Sequence, residues 1–224
     1  LFIEKPAGLI QSETKSLTIL ADEYSTANMV GYNRRYYSIF HSGIDIINKY
    51  GNLLGVSVEG HERFWKIENI ELPKILLDNW IYANSTHTID LLRLFGGGIK
   101  SFSSYSKSIK RLNNDQFVAA MEFDSGALGT YTSHWFSPGG WNVKLYGVGV
   151  TVIFKPLEKG IWLDNNFVEH SIIPDEVDIK FKPGFYRQIQ AFGELIRNDK
   201  LNWPGINLEN TLITMELAKK LSNV

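Results

Sequence analysis

The fold class this sequence predicts is α+β: an open, mainly antiparallel sheet with helices on one face, preceded by a remnant of an α/β layer. Three observations carry that expectation. From Ile99 to about Ile179, short strand-like runs alternate with turn residues. Segments before and after that region repeat their apolar residues at helical spacing. The chain opens on a strand, a turn, a helix and a second short strand within 32 residues.

Residues 1–3 read as the end of a strand and Glu4-Lys5-Pro6-Ala7-Gly8 as its turn, since Pro6 cannot donate to a ladder and Gly8 permits a tight bend. A helix is expected over 12–24, with Ser12 as N-cap and Leu17, Leu20 and Ala21 on its inner face. Met29-Val30-Gly31-Tyr32 reads as a short strand, which puts the end of the first layer at residue 32 and gives 33–224 to the α+β domain. Next come a helix over roughly 36–49, with Ile39, Ile46 and Ile47 inside and Gly51 as its stop, and a strand between Leu53 and Phe64 with Leu54, Val56 and Val58 alternating.

Residues 65–74 read as a loop, and a long helix is expected from Leu76 to Phe95 on the spacing of Ile89, Leu92 and Phe95, ended by Gly96-Gly97-Gly98. Strands are expected at 99–109, 116–123, 127–136, 141–148, 150–154 and 160–163. Asn113-Asn114-Asp115, Asp124-Ser125-Gly126 and Ser137-Pro138-Gly139-Gly140 supply turns between them. Phe185, Ile189, Phe192 and Ile196 mark another helix; Leu208, Leu212, Met215 and Leu221 mark the last, with Asn207 as its cap. An open sheet leaves one face uncovered; if that face carries the large aromatics Tyr131 and Trp135, a second subunit is the natural cover.

Composition narrows the function. A hydrophobic fraction of 44% belongs to a well-cored globular chain, and a net charge of -1 supplies no broad field for nucleic acid or an anionic membrane. No apolar run is long enough to span a membrane, and no signal peptide is recognisable. The absence of cysteine removes disulfide, thiolate and cysteine-zinc chemistry and fits a cytoplasmic location. The five histidines are scattered, with neither HxxxH nor HExxH, so no metal site is expected. Neither GxSxG nor GxGxxG occurs. Leu1-Phe2-Ile3 begins in mid-element without an initiator methionine, which suggests a fragment.

Four places can carry chemistry, each with a plainer alternative. Lys5 ends a strand, where ligands of α/β sheets lie, and reads either as a substrate-orienting lysine or as a solvated turn residue. His87 reads as a general acid or base, or as a structural helix histidine. Asn84 and Asp90 can fix its tautomer; equally, Asp90 can pair with Arg93 or another arginine. Asn33-Arg34-Arg35 can bind a carboxylate or phosphate, or form a polar helix entry. His134 reads first as a core or interface histidine.

Taken in order, Glu4-Lys5-Pro6 after an apolar strand, Val30-Gly31-Tyr32-Asn33-Arg34-Arg35, His87-x-x-Asp90-Leu91 and Asn207-Leu208-Glu209-Asn210 form a set that resembles the Gfo/Idh/MocA family of NAD(P)-dependent oxidoreductases. The resemblance covers almost the whole chain. It implies that residues 1–32 are the tail of a dinucleotide-binding Rossmann domain and 33–224 the substrate and oligomerisation domain. It further implies hydride transfer between NAD or NADP, bound mainly by residues missing from this chain, and a sugar, cyclitol or related hydroxyl or carbonyl carbon. Lys5 and His87 would be the catalytic pair, Asn33, Arg34, Asn84 and His134 would face the substrate, and Glu4, Lys5 and Pro6 would touch the cofactor. A homo-oligomer through the open sheet face is implied as well.

One position departs from the pattern. Many family members carry an aspartate four residues before the histidine; here that position is Ala83, beside Asn84. The departure keeps two other functions open: a non-catalytic member that senses a sugar or dinucleotide, and an isolated assembly domain.

Overall fold

The computed structural model describes residues 1–111 and 113–222. Strands β1 (Phe2–Glu4) and β2 (Met29–Gly31) pair in parallel, joined by helix α1 (Gln11–Glu23). After a 3-10 turn at Asn33–Tyr36 come α2 (Ser38–Tyr50), β3 (Leu53–Gly60), α3 (Phe64–Ile67) and α4 (Lys74–Asp78). A π-helical turn at Ile81–Ser85 then leads into α5 (Thr86–Gly96). Seven strands follow: β4 (Ile99–Lys107), β5 (Gln116–Phe123), β6 (Leu128–His134), β7 (Trp141–Gly147), β8 (Val150–Phe154), β9 (Gly160–Leu163) and β10 (Glu169–Ile172). Helices α6 (Glu176–Lys180), α7 (Phe185–Asn198) and α8 (Leu208–Ser222) complete the described chain.

The expected open sheet is there, with eight strands in the order β10-β9-β8-β7-β3-β6-β5-β4. Every neighbouring pair is antiparallel except β3 with β6, which is parallel because β3 enters from the helical half of the chain. The hairpin expected at Asp124-Ser125-Gly126 joins β5 to β6, with Gly126 at a φ of 85° that suits a residue lacking Cβ. Helices α2, α5 and α8 cover one face. Their apolar residues meet Val58, Phe117, Phe123, Tyr131, Trp135 and Phe154 in one core.

Several expectations are corrected. The large aromatics Tyr131 and Trp135 face the helices, not the open side. The open side instead carries Tyr105, Val118, Leu128 and Tyr146, and all four are exposed. Ser12 does not cap α1, whose N-cap is Ile10 without a side-chain bond. Leu17 and Leu20 point outward, while Thr14, Thr18 and Ala21 are buried; α8 packs on that small-residue face, so helix packing overrides the apolar pattern. A register shift between Leu53 and Gly55 turns Leu54 outward, so the alternation holds only from Val56. On α7, Gln188 and Leu195 are buried whereas Ile189 and Ile196 are exposed; Phe192 packs on Phe2, with ring centroids 5.2 Å apart.

The long helix expected over 76–95 is interrupted, and the interruption shapes the site. The chain leaves α4 at Asp78 and takes the wider π turn before α5 begins. Such turns are common at functional sites. The strand expected over 99–109 ends at Lys107 because the next residues fold around Asp115, whose carboxylate accepts from the backbone N–H groups of Ile109, Lys110 and Arg111. Strand β10, helix α6 and the short α3 lie outside the sequence-based expectation; each has too few residues to set a periodic pattern.

Candidate active site

Lys5 stands just past the carboxyl end of β1. Its Nζ donates to the carbonyl oxygen of Ala83 at 2.7 Å, tying the first layer to the π turn. Burial, then the positive charge of Arg34, lower the Lys5 pKa to about 8, against the support of Glu62 and Glu4.

His87 lies in the first turn of α5 and is 7% exposed. The helix is buried on nearly every side, between the sheet and α8, and this accounts for burial the sequence did not signal. Its ring meets Tyr32 edge-on at 6.0 Å and Trp141 at 5.9 Å. Nδ1 is buried without a hydrogen-bond partner. Burial, with the cations Lys5, Arg34 and Lys182, holds the imidazole pKa well below 6.5, so the ring is neutral at pH 7.

Asp90 does not orient His87. It receives both arms of Arg35, Nε at 2.6 Å and an NH at 2.8 Å, and also the hydroxyl of Thr214. Arg93 bonds instead to the Asn210 carbonyl and Thr214. The Asn33-Arg34-Arg35 run therefore separates into three tasks. Arg35 is structural. Asn33 is buried and donates to the Pro183 carbonyl at 3.3 Å, and its own carbonyl lies against Gly184, whose φ of 78° and crowding leave no room for a Cβ. Arg34 alone turns to the open space, its guanidinium 4.6 Å from the centroid of Trp141.

That space is a cavity of about 650 Å³ lined by Arg34, Glu62, Arg63, Lys66, Asn84 and Trp141, among others. Lys5 and His87 sit beside it without lining it: Lys5 bonds the residue before the lining Asn84, and His87 packs on the lining Trp141. His134 does not line it either: it stacks on His61, ring centroids 5.7 Å apart, and it is His61 that reaches the cavity. Glu4 and Pro6 flank Lys5 at the end of β1.

Glu62 was missed by reading the sequence. Its carboxylate is 5% exposed, accepting from Ser85 Oγ at 2.6 Å and Asn84 Nδ2 at 2.7 Å. Burial pushes its pKa up, against hydrogen bonds from Ser85 and Asn84 and the charge of Lys5. The available signal was its place just after a strand, the same signal that picked out Lys5.

Residues 67–152 match the GFO/IDH/MocA C-terminal domain. The fold of the chain is shared with many solved structures. One is a protein from Desulfitobacterium hafniense assigned as an NADPH-dependent oxidoreductase (TM-score 0.81, 15% identity, 99% of this chain and 69% of that one). Another is an NAD-binding oxidoreductase from Klebsiella pneumoniae (TM-score 0.78, 15% identity, 99% and 70%). A third is the UDP-N-acetylglucosamine 3-dehydrogenase of Acidithiobacillus ferrooxidans (TM-score 0.75, 14% identity, 99% and 69%). At these identities the likeness is one of fold. No curated protein sequence matches the chain.

The polar groups beside the cavity fit one end of a dinucleotide. The orphaned Nδ1 of His87 and the ammonium of Lys5 offer polar groups beside a strand end, whereas the sequence contains no glycine-rich phosphate loop. No helix among the described residues is long and apolar enough to cross a membrane.

Proposed function

We propose that this chain is the substrate-binding part of an NAD(P)-dependent oxidoreductase acting on a hydroxyl or carbonyl carbon of a sugar, cyclitol or related compound. The observation that carries the reading is the meeting of Lys5 and a neutral, buried His87 beside one cavity, although they are far apart in the chain. A bound nicotinamide would supply the hydride-accepting chemistry at the alcohol carbon. His87, neutral and with an unpartnered ring nitrogen, takes the hydroxyl proton, and it returns that proton in the reductive direction. The Lys5 ammonium orients the same oxygen and stabilises negative charge developing on it.

The cavity's cations favour a substrate with an anionic group, either a phosphate (as in a nucleotide-linked sugar) or a carboxylate. Arg34, Arg63 and Lys66 line it against two carboxylates, Glu62 and Glu158, so cations outnumber anions, and buried Arg34 Nε has no partner. A UDP-sugar dehydrogenase with the same fold fits that class. The test is NAD(P) reduction by the protein as its gene encodes it, over neutral, phosphorylated, nucleotide-linked and acidic sugars. Acidic or phosphorylated members should turn over fastest, and Arg34→Met should raise KM for them roughly tenfold or more while sparing neutral ones. Equal losses on both classes would remove Arg34 from anion recognition.

A second reading rests on Ala83. Without an acid at that position, a member of this family can bind sugar or dinucleotide and report it without turnover. Saturable ligand binding with no cofactor reduction across the same panel would favour it.

We also propose self-association through the open side of the sheet, where Tyr105, Val118, Leu128 and Tyr146 are exposed. Light scattering on Val118→Glu combined with Leu128→Lys should show a smaller particle than the parent, with an unchanged circular dichroism spectrum. An unchanged mass for a parent that is itself oligomeric would move the interface elsewhere.

A further inference from the structure

We propose that Glu62 is the carboxylate of this site, a positioning residue that fixes the Asn84 amide and braces the π turn that holds Lys5. The inference rests on the oxidoreductase reading and deepens it. A carboxylate reaches the turn that grips Lys5 from a separate element, past the carboxyl end of β3.

The geometry is that of a built site. Glu62 Oε2 accepts from Asn84 Nδ2 at 2.7 Å and Oε1 from Ser85 Oγ at 2.6 Å, so both oxygens are held by consecutive residues of the π turn. The preceding residue of that turn, Ala83, offers its carbonyl to Lys5. One turn thus grips the lysine with its backbone and the glutamate with its side chains. Because the Asn84 amide nitrogen points to Glu62, its orientation is set and its oxygen is left to accept from a substrate hydroxyl in the cavity that both residues line.

A buried carboxylate costs stability unless its oxygens are bonded and a cation is near. The cations here are Lys5 and Arg34; Glu4, beside Lys5, is a second carboxylate supporting its charge, and Tyr131 and neutral His87 also flank the pair. The charges of Lys5 and Glu62 support one another: the carboxylate raises the Lys5 pKa against burial, and the ammonium lowers that of Glu62. Removing the carboxylate therefore makes Lys5 give up its proton at lower pH.

The test uses the protein as its gene encodes it, with lysine side chains labelled for NMR and Lys5 assigned through Lys5→Arg. In Glu62→Gln the Lys5 midpoint should move below its wild-type position, and in Glu62→Asp it should return toward it. An unmoved midpoint in a folded Gln variant overturns the proposal. With turnover as a second readout, Glu62→Gln should lower kcat/KM roughly ten- to a hundredfold, the worth of a hydrogen bond to a charged group. Its alkaline limb should also shift to lower pH. If the wild type turns over no substrate, the oxidoreductase reading fails while the Lys5 titration still decides the role of Glu62. Should the Gln variant not fold, the wild-type Lys5 signal decides alone. A second inflection above the ordinary carboxylate range supports coupling to Glu62, and its absence overturns it.

Discussion

Replacing His87 by alanine is expected to cut turnover of the best sugar substrate by about 10²- to 10⁴-fold, the usual worth of a positioned general base. KM should change far less, because a general base acts chiefly on the transition state. Lys5→Ala should fall in the same range, and the pair should be non-additive, since both act on one oxygen. The pH profile separates them. Lys5 carries its charge below about 8 and loses it as pH rises through that value, so kcat/KM should decline above pH 8 and not near the ordinary lysine value. Lys5→Arg keeps a cation at all these pH values, and whatever activity it retains should lack that decline. His87 is already neutral at pH 7, so its acid limb should lie below pH 6.5. Steady-state kinetics between pH 5 and 10 would check both limbs; wild-type rates from the doubly substituted protein would end the assignment.

Asp90→Asn should strongly destabilise the fold. It leaves the guanidinium of Arg35 buried without a countercharge, with a neutral amide oxygen and the Pro204 carbonyl as its acceptors. Breaking one half of a buried pair costs roughly 3–5 kcal/mol. For a domain of this size that is a fall in melting temperature on the order of ten degrees. Arg35→Met alone should be comparably damaging, since it strands the Asp90 carboxylate at 1% exposure. Arg35→Met with Asp90→Leu removes both charges and should recover much of the loss. Thermal unfolding followed by circular dichroism would measure all three, and a double variant no better than either single change would mean that the pair is net stabilising.

Where local chemistry decides, the sequence was legible. Asn207 caps α8, its side-chain oxygen accepting from Asn210 N at 2.9 Å, and Gly51 ends α2 at a φ of 139°. The hairpin at Asp124-Ser125-Gly126 follows from turn preferences of a few adjacent residues. Ser12 and the Leu17–Leu20 face misled because the partner of α1 is α8, far along the chain, and it presses on small residues instead. The break between α4 and α5 carries no proline or glycine to announce it.

The site divides along the same line. Lys5, Arg34, Asn84 and His87 could be picked out because strand ends, helix faces and an ordered motif set are written in one dimension. What the sequence determined by itself was therefore the fold class, most strand and helix positions, the family resemblance and a set of candidate side chains. Tertiary structure alone decided that Asp90 serves Arg35 and that Asn33 holds the chain before α7. It alone decided that His61 stands nearer the cavity than His134, and that Glu62 supplies the buried carboxylate. The physical reason is that burial and charge act through space: the state of an ionisable group depends on which distant elements remove its water and bring its partner, and no local spacing encodes that.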